Sequence, residues 1–310
     1  MSLLIQKEGI FTSIQGLGPF GLQRYGVNPR GAMDTTAVRI INLLLGNDEG
    51  APVLECHFPG PEIIFEQYQT FALGGADLAA ELDGESLTNW KPHVAPGSST
   101  LRFRRQASGN RCYLAIPGGV KMASKAPTNE FSTAPLIRGE RLTSLSPAAP
   151  KLPRLPAAST TILPAYSRFP IVRVIAGPEF SRLSNEQASL IETSGFTITK
   201  EANRMGFRLN GPALIPDDRT ELVSAAVTFG TIQLFPDGQL VILMAEHPTS
   251  GGYPRLAHVI SADLPLAAQL GTGDKLAFKL IDIAEAERIA SRLETDLNKL
   301  RIGLSFGRYW

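Results

Sequence analysis

Cysteine is scarce in this sequence, and long apolar runs are missing. The 310 residues include two cysteines, Cys56 and Cys112, too few for the disulfide framework of a small secreted domain. The longest uncharged apolar runs, such as 240–245, are far shorter than the roughly 20 residues that span a bilayer. The first ten residues lack the apolar core of a signal peptide. These absences predict a cytoplasmic protein, in a reducing compartment, that does not cross a membrane.

Positive and negative charges are nearly balanced, so the chain has no excess of either sign. Thirty Lys and Arg residues stand against 29 Asp and Glu residues, which gives a formal net charge of +1. Proteins that bind nucleic acid ordinarily present a strongly basic surface to the phosphates, so the balance disfavours nucleic acid as a partner. With 43% hydrophobic and 19% charged residues, the composition is typical of a folded globular protein.

Several common chemical signatures are absent. The sequence contains no G-x-x-x-x-G-K-[ST] run, which disfavours an independent nucleotide site of the P-loop type. No two of the four histidines stand at helical metal-ligand spacing, and Cys56 and His57 are adjacent. Adjacent side chains on a strand point to opposite faces. We therefore expect no bound metal and no cofactor held by this chain alone.

Proline and glycine divide the chain. The 29 glycines and 23 prolines favour many short strands joined by turns. Six prolines lie between residues 145 and 170, and each removes a backbone donor from any β-ladder. We therefore predict a Pro-rich connection, 145–170, between an N-terminal β-rich domain, 1–144, and a C-terminal domain, 171–310.

Local patterns predict strands and a few helices. The clearest unit is a hairpin of 231–235 with 240–244, because proline presets the turn and Gly238 accepts a positive φ. Further strands are expected at 62–65, 70–73, 101–104 and 171–175. Amphipathic patterns and caps predict helices at 35–45 after Asp34, at 184–194, at 262–270 and within 281–300. The fold class is therefore mainly β, a β-rich α+β chain.

Glycines cluster between residues 16 and 31 in a segment that also carries polar side chains. Glycine lets the backbone approach a ligand closely, and loops often carry binding residues. Gln15, Arg24, Tyr25 and Asp34 are therefore candidate substrate-binding residues. The alternative is a turn-rich connection that ends in Asp34 as a helix cap.

Motifs along nearly the whole chain occur in the order of a known family. They are Ile14-Gln15, Tyr25-Gly26-Val27, Gly31–Asp34, Leu73–Leu78, Arg204–Leu209, Gly230–Gln233, Thr249–Pro254 and Val259–Pro265. Together they resemble the allophanate hydrolase subunit 2, or KipA-like, family. That family includes the C subunit of bacterial 5-oxoprolinase and the carboxyltransferase part of biotin-dependent urea carboxylase.

The resemblance implies a fold, an activity and partners. The fold would be two cyclophilin-like β-barrel domains with a few short helices. The chain would be one subunit, inactive alone, of an ATP-dependent enzyme that converts 5-oxo-L-proline to L-glutamate with a KipI-like chain and a LamB/YcsF-like chain. ATP would act in that complex. The alternatives are a carboxyltransferase component that uses biotin and a small amide such as urea, and a non-catalytic partner that antagonises a KipI-like chain.

Both chemistries require polarisation of an amide or ureido carbonyl, and preorganised donors stabilise the negative charge that develops on its oxygen. Backbone amides around Thr249, Gly251 and Gly252 could supply such donors. With Gln233 in the same closing block, these residues are candidates for substrate binding.

The remaining candidates are catalytic side chains. Arg204 has a planar guanidinium that suits a carboxylate or phosphate, although a structural ion pair is the alternative. Glu246, His247, Tyr253 and Asp263 are candidates for proton transfer or substrate orientation, and only the histidine titrates near neutral pH without help. We further expect glycine-lined loops from both halves of the chain to form one cleft.

Overall fold

The computed structural model describes residues 2–19, 21–123, 134–145, 157–218 and 220–306. Contacts divide the chain into a first unit, Met1–Gly18 with Arg30–Ala165 and Thr295–Trp310, and a second unit, Pro19–Pro29 with Tyr166–Glu294. Residues 146–156 of the predicted Pro-rich connection lie outside the described residues. The boundaries 1–144 and 171–310 stay predictions about separable domains.

The first unit consists mainly of β-strands. They are β1 (Ser2–Lys7), β2 (Thr12–Gln15), β3 (Val53–His57), β4 (Glu62–Phe65), β5 (Gln69–Asp77), β6 (Ala80–Leu82), β7 (Glu85–Ser86), β8 (Pro92–Ala95), β9 (Ser99–Phe103), β10 (Ser108–Ala115), β11 (Val120–Met122) and β12 (Arg141–Ser144). Seven form a sheet in the order β11-β12-β1-β4-β9-β6-β7, and five form a second sheet in the order β2-β3-β10-β5-β8.

Alternating apolar residues from the two sheets form the core of this unit. Leu3 and Ile63 from the seven-stranded sheet lie in one buried cluster with Leu73 from the five-stranded sheet. Cys56 and Cys112 belong to the same cluster as free thiols, and burial raises the pKa of Cys56 to about 12. The first unit is therefore two sheets around a shared core.

Helix α1 (Thr35–Leu45) begins and ends where the sequence predicts. The Asp34 side chain accepts a hydrogen bond from the backbone N–H of Ala37 at 2.8 Å, which satisfies one of the free donors at the helix start. Gly46 ends the helix with φ of 74°, a conformation that glycine adopts without a Cβ clash. The apolar face of α1, including Val38 and Ile41, packs with Tyr113 and Ala72 of the five-stranded sheet.

The two ends of the glycine-rich segment, residues 16–18 and 30–32, are in backbone contact, and this contact forms the closed base of the segment. The N–H of Ala32 donates to the carbonyl oxygen of Gly16 at 2.7 Å. A Cβ on Gly18 would lie 1.8 Å from the carbonyl oxygen of Arg30, whereas a Cβ on Gly21 would meet nothing within 4 Å. The chain therefore needs glycine at position 18 for closure as well as for its positive φ.

Gly18→Ala is expected to destabilise the protein much more than Gly21→Ala. Both residues have positive φ, 85° and 77°, and alanine in that region costs roughly 1 kcal/mol. Only Gly18→Ala adds a backbone clash, so we expect a loss of about 3 kcal/mol or more in the free energy of unfolding. Urea unfolding of both variants measures the difference, and equal losses would contradict the closed base.

The second unit is built around a closed barrel. Its strands are β13 (Ile171–Ala176), β14 (Gly195–Ile198), β15 (Gly206–Asn210), β16 (Ala225–Ala226), β17 (Thr231–Leu234), β18 (Leu240–Leu243), β19 (Ser250–Gly251), β20 (Arg255–Val259) and β21 (Lys275–Leu280). Seven of them close in the order β13-β20-β17-β18-β15-β14-β21, and the parallel pairing of β13 with β21 completes the ring. Strands β16 and β19 form a separate two-stranded sheet.

The predicted hairpin and helices are confirmed. Strands β17 and β18 pair antiparallel, with Ile232 opposite Ile242, and Gly238 in their turn has φ of 83°. The other helices are α2 (Asn185–Thr193), α3 (Leu264–Ala268) and α4 (Ile283–Phe306). Single-turn 3-10 helices occur at Gln23–Tyr25, Thr160–Ile162 and Phe180–Arg182.

The mainly β fold class is confirmed, with a closed seven-stranded barrel in the C-terminal half and two sheets in the N-terminal half. Within the part of the chain that the structure describes, no helix combines the length and apolar character needed to cross a membrane.

Candidate functional site

One face of the barrel carries a group of polar side chains. Thr231 and Gln233 are two residues apart on β17, so their side chains point to the same face, and both are buried. Across the sheet, Thr231 pairs with His258 on β20. The hydroxyl oxygens of Thr228 and Thr231 lie 3.4 and 3.5 Å from Nδ1 of His258. Strand register thus brings two threonines and a histidine together.

His247 is held next to this group in a defined tautomer. Its side chain is buried, with 1% of the residue exposed, and Nδ1 lies 2.6 Å from the carbonyl oxygen of Pro248. A carbonyl oxygen only accepts, so Nδ1 carries the hydrogen and the neutral ring has its lone pair at Nε2. Among the residues that the structure describes, Nε2 of His247 has no hydrogen-bond partner.

Burial keeps both histidines neutral. Loss of hydration lowers the pKa of His247 below its usual value of 6.5. Burial also lowers the pKa of His258, and His247 lowers it further by charge repulsion. Neutral imidazoles at pH 7 can accept a proton, so this face has the chemistry of a general base.

Arg204 and Glu246 are joined by two hydrogen bonds, and Glu246 directly precedes His247 in the chain. The guanidinium Nε of Arg204 donates to Oε1 of Glu246 at 2.8 Å, and the backbone N–H of Glu246 donates to the carbonyl oxygen of Arg204 at 2.8 Å. Arg204 is buried. The structural ion pair, one of the two roles open to Arg204 from sequence, is therefore present, and it fixes the backbone next to His247.

Gln233 lies against the backbone of Gly251. A Cβ at position 251 would be 2.5 Å from Nε2 of Gln233, so a side chain there would displace this amide from its present position. Nε2 is buried and has no hydrogen-bond partner among the described residues, and an unpaired buried donor costs about 1–3 kcal/mol. An incoming carbonyl oxygen would form a hydrogen bond with this Nε2.

Part of the predicted 249–252 backbone already forms hydrogen bonds within the protein. Gly251 pairs with Ala225 in the sheet of β16 and β19, and the carbonyl oxygen of Thr249 accepts from the N–H of Val227 at 3.3 Å.

Tyr253 and Gly252 line an open cleft of about 870 Å³ at the end of the hairpin. The ring of Tyr253 packs on Phe235, with centroids 4.4 Å apart. Leu234 and Pro254 also line the cleft, and the exposed carboxylates of Asp218 and Glu221 lie at it. The cleft therefore offers a flat apolar surface beside polar groups.

Asp263 is engaged elsewhere. Its carboxylate binds Arg173 through both oxygens, at 2.8 Å from Nε and 2.5 Å from the terminal nitrogen. One of those oxygens also accepts the Arg173 backbone N–H at 2.8 Å, and Asp263 is buried. This arrangement ties α3 to strand β13 and favours a structural role for the carboxylate.

In the first unit, Gln15 and Asp34 are fully buried. Gln15 donates to the hydroxyl of Ser13 at 2.9 Å, and Asp34 caps α1. Their burial favours the structural alternative for this end of the glycine-rich segment. Arg24 and Tyr25 instead lie exposed on the 3-10 turn Gln23–Tyr25, with the guanidinium carbon 4.8 Å from the ring centroid.

A buried polar network beside Asp34 was not predicted. Glu55 Oε2 accepts from the Met33 N–H and from the Tyr113 hydroxyl, each at 2.9 Å, and that hydroxyl accepts the Asp34 N–H at 2.9 Å. The network anchors the start of α1 to strands β3 and β10. Sequence reasoning also missed the roles of Thr228, Thr231 and His258, since only cross-strand register shows their proximity.

The fold and the polar barrel face define a mainly β protein with a candidate acid–base site on a closed barrel. The chain belongs to the family described as carboxyltransferase domain, subdomain A and B, whose model matches residues 25–280.

Two curated relatives are similar over almost their full lengths. The chain is 31% identical over 293 residues to the C subunit of 5-oxoprolinase from Haemophilus influenzae, covering 93% of this chain and 94% of that protein. It is 32% identical to the C subunit of 5-oxoprolinase from Escherichia coli, covering 92% and 93% respectively.

Larger proteins contain a similar region. Urea amidolyase of Saccharomyces cerevisiae is 27% identical over 88% of this chain, which corresponds to 16% of that protein. The crystal structure of the Kluyveromyces lactis urea carboxylase superposes with a TM-score of 0.88 and 23% identity, covering 96% of this chain and 29% of that chain. This structural match shows the shared fold.

Proposed function

We propose that this chain is a subunit of an ATP-dependent 5-oxoprolinase that opens 5-oxo-L-proline to L-glutamate together with companion subunits. The observation that carries the proposal is identity of 31–32% to the C subunits of two 5-oxoprolinases, across more than nine-tenths of each pair of chains. Likeness over so much of both chains supports the same role in a complex.

The proposed chemistry assigns roles to the barrel face. Lactam opening adds water to the ring carbonyl, breaks the C–N bond and leaves a carboxylate and an amine, while ATP is hydrolysed. In our proposal, Nε2 of His247 accepts a proton from the attacking water, since the ring is neutral and Nδ1 is held by Pro248. The Gln233 amide donates to the carbonyl oxygen, where negative charge develops. Arg204 and Glu246 are positioning residues for His247.

The companion subunits complete the proposed reaction. The chain lacks a G-x-x-x-x-G-K-[ST] phosphate-binding run, which supports placing ATP mainly on another chain of the complex. The KipI-like and LamB/YcsF-like chains expected from the family resemblance are the proposed partners, and the chain alone is proposed to be inactive.

Reconstitution tests this proposal. The purified chain is mixed with both companion subunits from the same organism, and glutamate and ADP are measured with 5-oxoproline and ATP. We expect glutamate release only from the complete set, and none when this chain is omitted. Turnover by the companion subunits without this chain, at the rate of the full set, would refute the proposed role.

Carboxyl transfer is the second candidate function. It is favoured by the family match over residues 25–280 and by the urea amidolyase and urea carboxylase relatives. The cleft of about 870 Å³ beside Tyr253 and Phe235 is large enough for a bicyclic ureido ring carried on a biotinylated partner. Transfer of labelled carboxylate from a carboxybiotinyl carrier to urea or another small amide would select this candidate. A chain that binds its partner but supports neither reaction would instead be a regulatory antagonist.

A further inference from the structure

The loop formed by residues 21–29 exposes three apolar side chains close together in the sequence. Tyr25 is 68% exposed, Leu22 40% and Val27 39%, all within six residues. Single exposed apolar residues are common on protein surfaces, but a cluster often marks an interaction site. This exposed loop, residues 21–29, is therefore a candidate contact surface.

The exposed loop is conformationally restricted in spite of its exposure. The chain on either side of it is closed by contacts among Gly16, Gly18 and Gly31. At its tip, Tyr25 N–H donates to Leu22 O and Gly26 N–H donates to Gln23 O, each at 2.9 Å. A preorganised loop loses less conformational entropy on binding than a flexible one, which favours association.

The charged residues of the exposed loop and of the sequence next to it are of one sign. Between Glu8 and Asp34 the sequence contains two charged residues, Arg24 and Arg30, and both are basic. Neither arginine forms a salt bridge within the described residues. The Arg24 guanidinium lies over the Tyr25 ring at 4.8 Å, so one exposed unit combines a cation with an aromatic surface. Tyrosine and arginine are enriched among residues that dominate binding energy at protein interfaces.

We propose that the exposed loop is a docking element for a companion subunit, and that it fits an apolar pocket with an acidic rim on that protein. Leu22, Tyr25 and Val27 would fill the pocket, and Arg24 would pair with a carboxylate at its edge. The proposal rests on the proposed function, because that function supplies the companion subunits. It reassigns Arg24 and Tyr25 from substrate binding to subunit recognition.

Binding measurements with the full-length chain test the docking element. Each purified companion subunit is titrated by isothermal calorimetry without ATP or 5-oxoproline, so that binding is separated from turnover. We expect Arg24→Glu and Tyr25→Ala each to raise the Kd about tenfold or more. Arg24→Glu should also weaken the dependence of Kd on salt, because one ionic contact is lost. Tyr25→Phe keeps the ring and should bind within about twofold of the parent.

Two matched variants on the first unit serve as controls. Tyr68 is 65% exposed, and Arg105 is an exposed arginine that forms no ion pair with any described residue. Tyr68→Ala and Arg105→Glu should leave the Kd within about twofold of the parent. Circular dichroism checks that all variants are folded.

Four outcomes would overturn the docking proposal. The first is unchanged affinity in both loop variants, and the second is equal weakening in the control variants. The third is unchanged affinity with reduced turnover in the assembled enzyme, which would return the loop to substrate binding. A complex that depends on the loop but makes no glutamate would refute the proposed function and leave the docking element standing. Failure of every companion subunit to bind the parent chain would refute docking itself.

Discussion

Replacing His247 by glutamine is expected to lower kcat of the reconstituted enzyme by about 100-fold or more. Glutamine keeps a side chain of similar length and can still donate to the Pro248 carbonyl, but it has no nitrogen lone pair that takes up a proton at neutral pH. In the parent protein, Nδ1 of His247 is occupied by Pro248 at 2.6 Å, and burial lowers the pKa of the ring. Initial rates of glutamate release at saturating 5-oxoproline and ATP measure the effect.

His93→Gln is the matched control. His93 also has a carbonyl partner, Thr88 O at 2.7 Å, and a pKa lowered by burial, but it lies on β8 in the first unit. Its substitution should change kcat by less than about twofold. If His247→Gln retained full turnover while His93→Gln did not, the barrel face would not be the proton-accepting site.

His247 should also contribute to the pH dependence of the free energy of unfolding. Its pKa is lower in the folded protein than 6.5, so the unfolded chain binds more protons below that value. This contribution is complete above pH 6.5 and is lost as the pH falls towards the lowered folded value. His258 and His93 act with the same sign. The difference in unfolding free energy between pH 7.5 and pH 5 should therefore be smaller in His247→Gln than in the parent protein.

Replacing Glu55 by leucine is expected to cost about 4 kcal/mol in the free energy of unfolding. The Glu55 side chain is fully buried and accepts hydrogen bonds from Met33 N–H and the Tyr113 hydroxyl, both at 2.9 Å. Leucine fills a similar volume but leaves both donors unpaired inside the protein. Because whole domains are stable by only about 5–15 kcal/mol, this loss would be visible in urea unfolding at 25 °C.

Glu55→Gln separates hydrogen bonding from side-chain volume at the same position. One glutamine oxygen can accept from both donors, and its amide group can face His57, whose Nε2 lies 3.5 Å from Oε1 of Glu55. We therefore expect a loss of about 1 kcal/mol for this variant. Equal losses for leucine and glutamine would show that the buried network does not anchor α1.

Local structure was largely predictable because its causes are local. Asp34 caps α1 and Gly46 ends it, and both effects depend on backbone groups within a few residues. The hairpin of β17 with β18 follows from proline and glycine in a four-residue turn. The role of Arg204 was harder to predict, because an arginine that suits an anionic ligand suits a structural ion pair equally well. Only the structure shows Oε1 of Glu246 at 2.8 Å from Nε of Arg204.

Candidate residues in each unit, taken separately, illustrate the same limit. Gln15 and Asp34 carry polar groups in a glycine-rich segment, yet both are fully buried, and burial cannot be read from residue type. His258 had no distinguishing motif, although it lies opposite Thr231 across the barrel. Convergence of loops from both halves on one cleft stays a prediction.

The sequence by itself determined the mainly β class, the four helices, the hairpin of β17 with β18 and the family, because turn chemistry, capping and the order of motifs are properties of neighbouring residues. Only the tertiary structure decided which polar groups meet: His247 with His258, Arg204 with Glu246, and Asp263 with Arg173. The physical reason is that these contacts depend on barrel closure and strand register. Closure and register are set by packing among residues far apart in the chain.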